Sequence, residues 1–190
     1  ITQSANHGIY NTGKLTASDV QINGTQDNGI YNDGGEVTVT KLDVSSAKGQ
    51  GVNNAGTLNL KDVTIAGAGK NGVYHSKGSA KVENLTVTDT AEHGVNNAAK
   101  LELANITISK TGAGKNGLQN SGELTVTKLS ITESANHGIY NTGKLTASDV
   151  TVKTVGDNGI YNDGGEVTVS KLEVSNVKGQ GSNNKGALNL

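Results

Sequence analysis

Residues 138–152 read GIYNTGKLTASDVTV, and the spacing within this stretch decides the fold. Counted from Gly138, aliphatic side chains fall at Ile139, Leu145, Ala147, Val150 and Val152, with an asparagine at Asn141 and a second glycine at Gly143. Leu145 and Ala147 alternate with polar residues, as do Val150 and Val152. Period-two alternation describes a strand with one buried face. Ser148 and Asp149 separate the two runs, a break that lets the chain turn a corner while both runs still point inward. A third short strand is expected around Ile139.

The same unit recurs along the whole chain. A glycine opens it at Gly8, Gly29, Gly51, Gly72, Gly94, Gly117, Gly138, Gly159 and Gly181, at intervals of 21, 22, 21, 22, 23, 21, 21 and 22 residues. All departures from 21 sit outside the alternating runs: one extra residue near Gly34-Gly35, near Gly78-Ser79 and near Gly164-Gly165, and two within residues 109–116. Solenoids tolerate insertions at corners because their strands must stay in register.

One unit cannot bury its own aliphatic residues, but stacked units can. At about 4.8 Å per turn, stacking creates continuous columns such as Val20, Leu42, Val63, Leu85, Ile106, Leu129, Val150 and Leu172. Each buried aliphatic contributes roughly 1.5–3 kcal/mol against roughly 1–2 kcal/mol of backbone entropy per ordered residue. Neighbours on both sides therefore matter. A second column, Asn11, Asn32, Asn54, His75, Asn97, Asn120, Asn141, Asn162 and Asn184, predicts a ladder of side-chain hydrogen bonds. The residue after each corner runs Asp19, Lys41, Asp62, Asn84, Asn105, Lys128, Asp149, Lys171, with no two like charges adjacent. The expected fold is all-β: a right-handed parallel β-helix of eight complete turns plus partial end turns. Other solenoids fit less well. Left-handed hexapeptide helices need about 18 residues per turn, leucine-rich repeats need an asparagine that is missing here, and calcium-binding rolls need a Gly-Gly-x-Gly-x-Asp run.

A longer period overlies the short one. Residues 131–190 match residues 1–60 at 46 of 60 positions, so six turns form a 130-residue super-repeat. Residues 1–190 read as one continuous solenoid without a cap at either end, hence as an internal piece of a longer protein whose terminal turns offer open templates.

Composition agrees and narrows the function. The chain has 27 glycines, no Pro, Cys, Met, Trp, Phe or Arg, and a net charge of −1. The core must be built from Ile, Leu, Val and Ala. Near-neutral charge supplies no footprint for nucleic acid, no apolar run reaches the length of a membrane span, and without cysteine there is no disulfide or zinc–thiolate site.

The run Asn136-His-Gly-Ile-Tyr-Asn-Thr-Gly-Lys-Leu-Thr146 resembles the turns of right-handed β-helix passengers in bacterial autotransporter adhesins and related polymorphic surface proteins. The resemblance spans the chain, is one of repeat style, and carries no active site. It implies secretion to a bacterial surface and a non-enzymatic role as stalk or adhesive rod. The partners would be a glycan or protein on a host or neighbouring cell, or other copies of the rod, with no cofactor.

Tyr10, Tyr31, Tyr140 and Tyr161, with Tyr74, lie between inward positions and are expected to face outward as an exposed aromatic stripe able to bind a ligand. His7, His93 and His137 precede an opening glycine where other turns carry Asn or Gln, so a hydrogen-bonding role is expected and no metal site. Glu83 and Glu102 form the closest acidic grouping, with Lys81 expected to pair with Glu102. Glycan hydrolases on this fold need converging carboxylates. The alternative to a stalk is therefore the scaffold of a carbohydrate-active enzyme whose site lies elsewhere. Asn23, Asn84 and Asn105 match the glycosylation pattern, though the repeat supplies their threonines anyway.

Overall fold

Each turn of the chain divides into one short strand and one long strand. In the computed structural model, which describes all 190 residues, the short strands are β1 (Ile9–Asn11), β3 (Ile30–Asn32), β5 (Val52–Asn54), β7 (Val73–His75), β9 (Val95–Asn97), β11 (Leu118–Asn120), β13 (Ile139–Asn141), β15 (Ile160–Asn162) and β17 (Ser182–Asn184). The long ones are β2 (Lys14–Asn23), β4 (Glu36–Ser45), β6 (Thr57–Ala66), β8 (Ser79–Thr90), β10 (Lys100–Thr111), β12 (Glu123–Thr132), β14 (Lys144–Val155), β16 (Glu166–Val177) and the short closing β18 (Ala187–Asn189). They form two nine-stranded parallel sheets, each strand flanked by its counterparts one turn before and one turn after. There is no helix.

The register follows the aliphatic columns read from the sequence. Val20 pairs with Leu42, Leu42 with Val63, Val63 with Leu85, Leu85 with Ile106, Ile106 with Leu129, Leu129 with Val150 and Val150 with Leu172. Ile106 and Leu129 are each 1% exposed. One core cluster of 37 buried residues runs the length of the solenoid and contains only Ile, Leu, Val and Ala. Where the columns end, Ile1 and Leu190 are exposed, and Leu15, Val20, Leu172 and Leu188 are only partly buried.

The opening glycines from Gly8 to Gly159 are required by space. A Cβ on Gly8 would lie 2.6 Å from Ile22 Cγ2 and 2.7 Å from the Gly29 carbonyl oxygen. On Gly159 it would meet Val174 Cγ1 and the Gly181 oxygen, each at 2.5 Å. The glycine column is thus where the short strand presses against the end of the long strand and against the next turn.

Two features differ from the sequence reading. The two alternating runs are not separate strands but the arms of one bent strand, so there are two hydrogen-bonded sheets rather than three. In five turns the bend is made by a non-glycine residue in the left-handed region: Asp19, Lys41, Asp62, Asn84 and Asn105, with φ from 54° to 61°. A second bend, unmarked in the sequence, follows the long strand's second arm. There Gln3, Gly24, Ser46, Gly67, Asp89, Lys110, Glu133, Thr154 and Asn176 all have φ between 52° and 71°, one in each of nine turns. Only two of the nine are glycine, so the column stores strain of about 1–2 kcal/mol at each other position.

Candidate binding surface

The short strands carry the surface of interest. Their first and third residues are buried in the complete turns, so the middle residue faces outward. The middle positions run Tyr10, Tyr31, Asn53, Tyr74, Asn96, Gln119, Tyr140, Tyr161 and Asn183. The tyrosines do face outward, yet among the four of the expected stripe only Tyr10, at 56% exposure, is fully exposed, while Tyr31, Tyr140 and Tyr161 are half-buried. Their rings lie down along the rod rather than standing off it.

The rings lie down because each tyrosine pair packs on the histidine before the opening glycine. Tyr10 and Tyr31 have ring centroids 5.4 Å apart, with His7 at 5.8 Å and 5.1 Å from them. Tyr140 and Tyr161 are 5.5 Å apart, with His137 at 6.0 Å and 4.9 Å. Carboxylates border both triads. The Tyr10 hydroxyl donates to Asp33 Oδ2 at 2.9 Å and the Tyr140 hydroxyl to Asp163 Oδ2 at 3.0 Å. Asp27 lies 3.6 Å from His7 Nδ1, and Asp157 lies 3.6 Å from His137 Nδ1. The hydrogen bond to Asp33 raises the pKa of Tyr10, while burial followed by Asp163 raises that of Tyr140. An aromatic face bordered by carboxylate oxygens can stack against a sugar ring or receive a cation.

The two copies differ in what the following turn brings to them. Lys185 places its Nζ 4.9 Å from the Tyr161 ring centroid and 3.7 Å from Asp163 Oδ1, and hydrogen-bonds the Tyr161 hydroxyl. That hydrogen bond, with Asp163 nearby, raises the lysine's pKa. The residue at the matching position of the first copy is Ala55.

Beneath this surface two buried ladders hold the turns together. Asn11, Asn32, Asn97, Asn120, Asn141 and Asn162 each donate from Nδ2 to the Oδ1 of the next turn's asparagine, at 2.7–2.9 Å. His75 stands in for one amide: Nδ1 accepts from Asn54 at 2.9 Å and Nε2 donates to the Lys100 carbonyl at 3.0 Å. Those two bonds together require the neutral ring. The second ladder runs through the column before the opening glycines. There a side-chain acceptor takes the backbone N–H one turn on, as from Gln50 to Asn28 Oδ1 (2.8 Å), Asn116 to His93 Nδ1 (3.0 Å) and Asn158 to His137 Nδ1 (3.3 Å). The histidines are therefore structural acceptors, as their alternation with Asn and Gln implied. Burial lowers the pKa of His75, His93 and His137; Lys115 adds to the effect at His93, and Asp157 partly opposes it at His137.

The acidic grouping on the long strands is arranged differently from expectation. Glu102 is opposite Lys81 in register, but the Lys81 ammonium bonds Glu83, two residues along its own strand, at 2.8 Å. An outward side chain reaches its neighbour along the strand as readily as across it. Lys81 holds the Glu83 carboxyl below the usual range. Glu92 accepts from Asn71 Nδ2 at 2.8 Å. The corner charges do pair, Lys41 with Asp19 at 2.8 Å and Lys171 with Asp149 at 3.4 Å. Asn84 and Asn105 are exposed at their corners, linked to each other and to Asp62 by hydrogen bonds. No group of three or more His, Asp or Glu side chains is placed to hold a metal ion, and no helix is long and apolar enough to cross a membrane.

Comparison with curated proteins and with solved structures returned no match. Residues 49–189 match the family described as right handed beta helix region, which is nearly three quarters of the chain. With parallel strands stacked turn on turn and aliphatic columns in register, the chain belongs to the right-handed β-helix family.

Proposed function

We propose that the chain is part of a non-enzymatic rod on a bacterial cell surface, an adhesin-type stalk that displays, and in part forms, a binding surface. The observation that carries this reading is the contrast between its two sets of columns. Inward columns keep aliphatic, glycine or amide character through nearly every complete turn, whereas the outward short-strand column passes through Tyr, Asn and Gln, and the corner column through Asp, Lys and Asn. A scaffold constant inside and varied outside suits display. The partner in this proposal is a glycan or protein of a host or neighbouring cell, or another copy of the rod, met at the tyrosine surface.

The alternative, a scaffold within a carbohydrate-active enzyme whose groups lie on other turns, draws on the same fold, which hosts both kinds of protein. The separating experiment offers surface glycans and intact cells to the purified chain, following retention and turnover together. Retention without turnover, weakened by Tyr31→Ala, is expected. Turnover by the chain, or no retention on any surface, would reject the stalk with an adhesive face. Antibody labelling of intact expressing cells tests the location.

A further inference from the structure

We infer that the surface formed by Tyr31, Tyr10 and Asp33 is a receptor for a primary alkylammonium group, and that Lys185 occupies the matching surface of the second copy from within. This deepens the proposed function by naming the chemistry that the tyrosine surface accepts, and it rests on that reading for its biological role.

The second copy shows the occupied arrangement. Its ammonium hydrogen-bonds the Tyr161 hydroxyl at the edge of the ring, 4.9 Å from the ring centroid, and lies 3.7 Å from Asp163. The hydroxyl and the carboxylate are what an ammonium seeks: an oxygen acceptor and an opposite charge. The first copy has the same framework. Tyr10 and Tyr31 pack 5.4 Å apart as Tyr140 and Tyr161 do at 5.5 Å, and the Tyr10 hydroxyl bonds Asp33 as Tyr140 bonds Asp163. The turn that follows is complete, spanning β5 and β6, and brings Ala55 to the place of Lys185.

The consequences for the first copy are visible in its partners. The Tyr31 hydroxyl has no hydrogen-bond partner in the chain, whereas Tyr161 meets both Asp163 and Lys185. Asp33 pairs with no cation and is exposed, whereas Asp163 pairs with Lys185 and is half-buried. The first copy thus offers the Tyr31 hydroxyl and the Asp33 carboxylate with no ammonium to join them, and the direct Tyr161–Asp163 hydrogen bond of 3.4 Å has no counterpart there. A lysine side chain of a partner protein and a free polyamine offer the same group.

The test uses the 190-residue chain with its tyrosine rings isotopically labelled, followed by NMR during titration with a short lysine-containing peptide, the same peptide acetylated at Nζ, and spermidine. The peptide is expected to shift the Tyr31 ring signals and leave Tyr161 unmoved, with acetylation weakening the response at least tenfold. Ala55→Lys should abolish the Tyr31 response, and Lys185→Ala should create one at Tyr161. Each exchange installs a side chain of the size the other copy carries at that position, and the unaffected copy reports that the fold is intact. A tighter response to peptide than to spermidine identifies a protein partner as the source, and the reverse order a polyamine. Equal binding of the acetylated peptide, a Tyr31 response that survives Ala55→Lys, or no response to any amine would overturn the inference. A rod that holds surfaces while Tyr31 ignores amines overturns this inference alone. A rod that binds amines but no surface overturns the adhesive reading alone.

Discussion

Replacing Asn120 with alanine removes one member of the buried amide ladder, and the structure gives the size of the effect. The side chain is fully buried, accepts from Asn97 Nδ2 at 2.8 Å, and donates to Asn141 Oδ1 at 2.8 Å and to the Gly122 and Lys144 carbonyls at 3.1 Å each. After truncation Asn97 Nδ2 keeps the Ala99 and Glu123 carbonyls, so the donor before the gap stays satisfied. Asn141 Oδ1 loses its ladder donor in a dry site. An orphaned buried acceptor costs roughly 1–3 kcal/mol, and the lost hydrogen bonds add roughly 0.5–1.5 kcal/mol each. The sum, shared among bonds that divide two protons, is about 3–4 kcal/mol. Urea denaturation should show it as a midpoint lowered by more than about 1 M at slopes of about 2–3 kcal/mol/M. The control is Asn184→Ala. That side chain sits in the same ladder and accepts from Asn162 at 2.8 Å, but it is exposed, and water can replace it at a cost below about 1 kcal/mol. Equal losses for the two variants would refute the reasoning, because burial would then not be what gives the ladder its strength.

Four further outcomes are expected. Gly117→Ala places a Cβ 2.8 Å from the Gly138 carbonyl oxygen and closer still to Ile131, and should cost at least about 1–3 kcal/mol by overpacking, read from thermal unfolding. Thr154→Gly relieves a β-branched residue at φ 55° on an exposed corner. Allowing for the looser unfolded chain, it should raise stability by up to about 1 kcal/mol, or roughly 2–4 °C in Tm. His75, His93 and His137 bind protons less well folded than unfolded. Their contribution is therefore complete above the unfolded histidine pKa of about 6.5 and falls as pH drops below it, by up to about 1.4 kcal/mol per pH unit for each ring. Denaturation midpoints from pH 8 to pH 5 should fall accordingly, and less steeply in His75→Asn. Ile1 and Leu190 are exposed at the ends of open columns, so light scattering of the 190-residue chain should rise with concentration through end-to-end stacking; a strictly monomeric chain would contradict this.

The fold was legible because the side chains that decide it repeat. Val63, Leu85 and Ile106 are interchangeable in a column only if they stack, and the Asn11-to-Asn184 series has no explanation within a single turn. The left-handed column from Gln3 to Asn176 was not legible, since Gln, Gly, Ser, Asp, Lys, Glu, Thr and Asn share no property there. The parallel register of neighbouring turns imposes that conformation, whatever side chain it carries. The candidate surface was half legible. Alternation around Ile139 and Asn141 turned Tyr140 outward, but nothing in the spacing showed that the ring would lie against His137. Lys185 was visible as a departure from Ala55 within the super-repeat. Its place at the Tyr161 hydroxyl depends on side-chain reach across one turn, which no linear pattern records.

The match of residues 1–60 with residues 131–190 at 46 of 60 positions has a consequence at the level of the encoding DNA. Two such stretches invite unequal recombination, and in most folded proteins the product would be a broken core. Here the crossover joins one turn to its equivalent, so glycine, amide and aliphatic columns meet in register wherever within the copy the exchange falls. Lineages carrying this sequence can therefore lengthen or shorten the rod in steps of six turns, about 29 Å at the usual strand spacing. Each step adds or removes one tyrosine cluster without a new folding problem to solve.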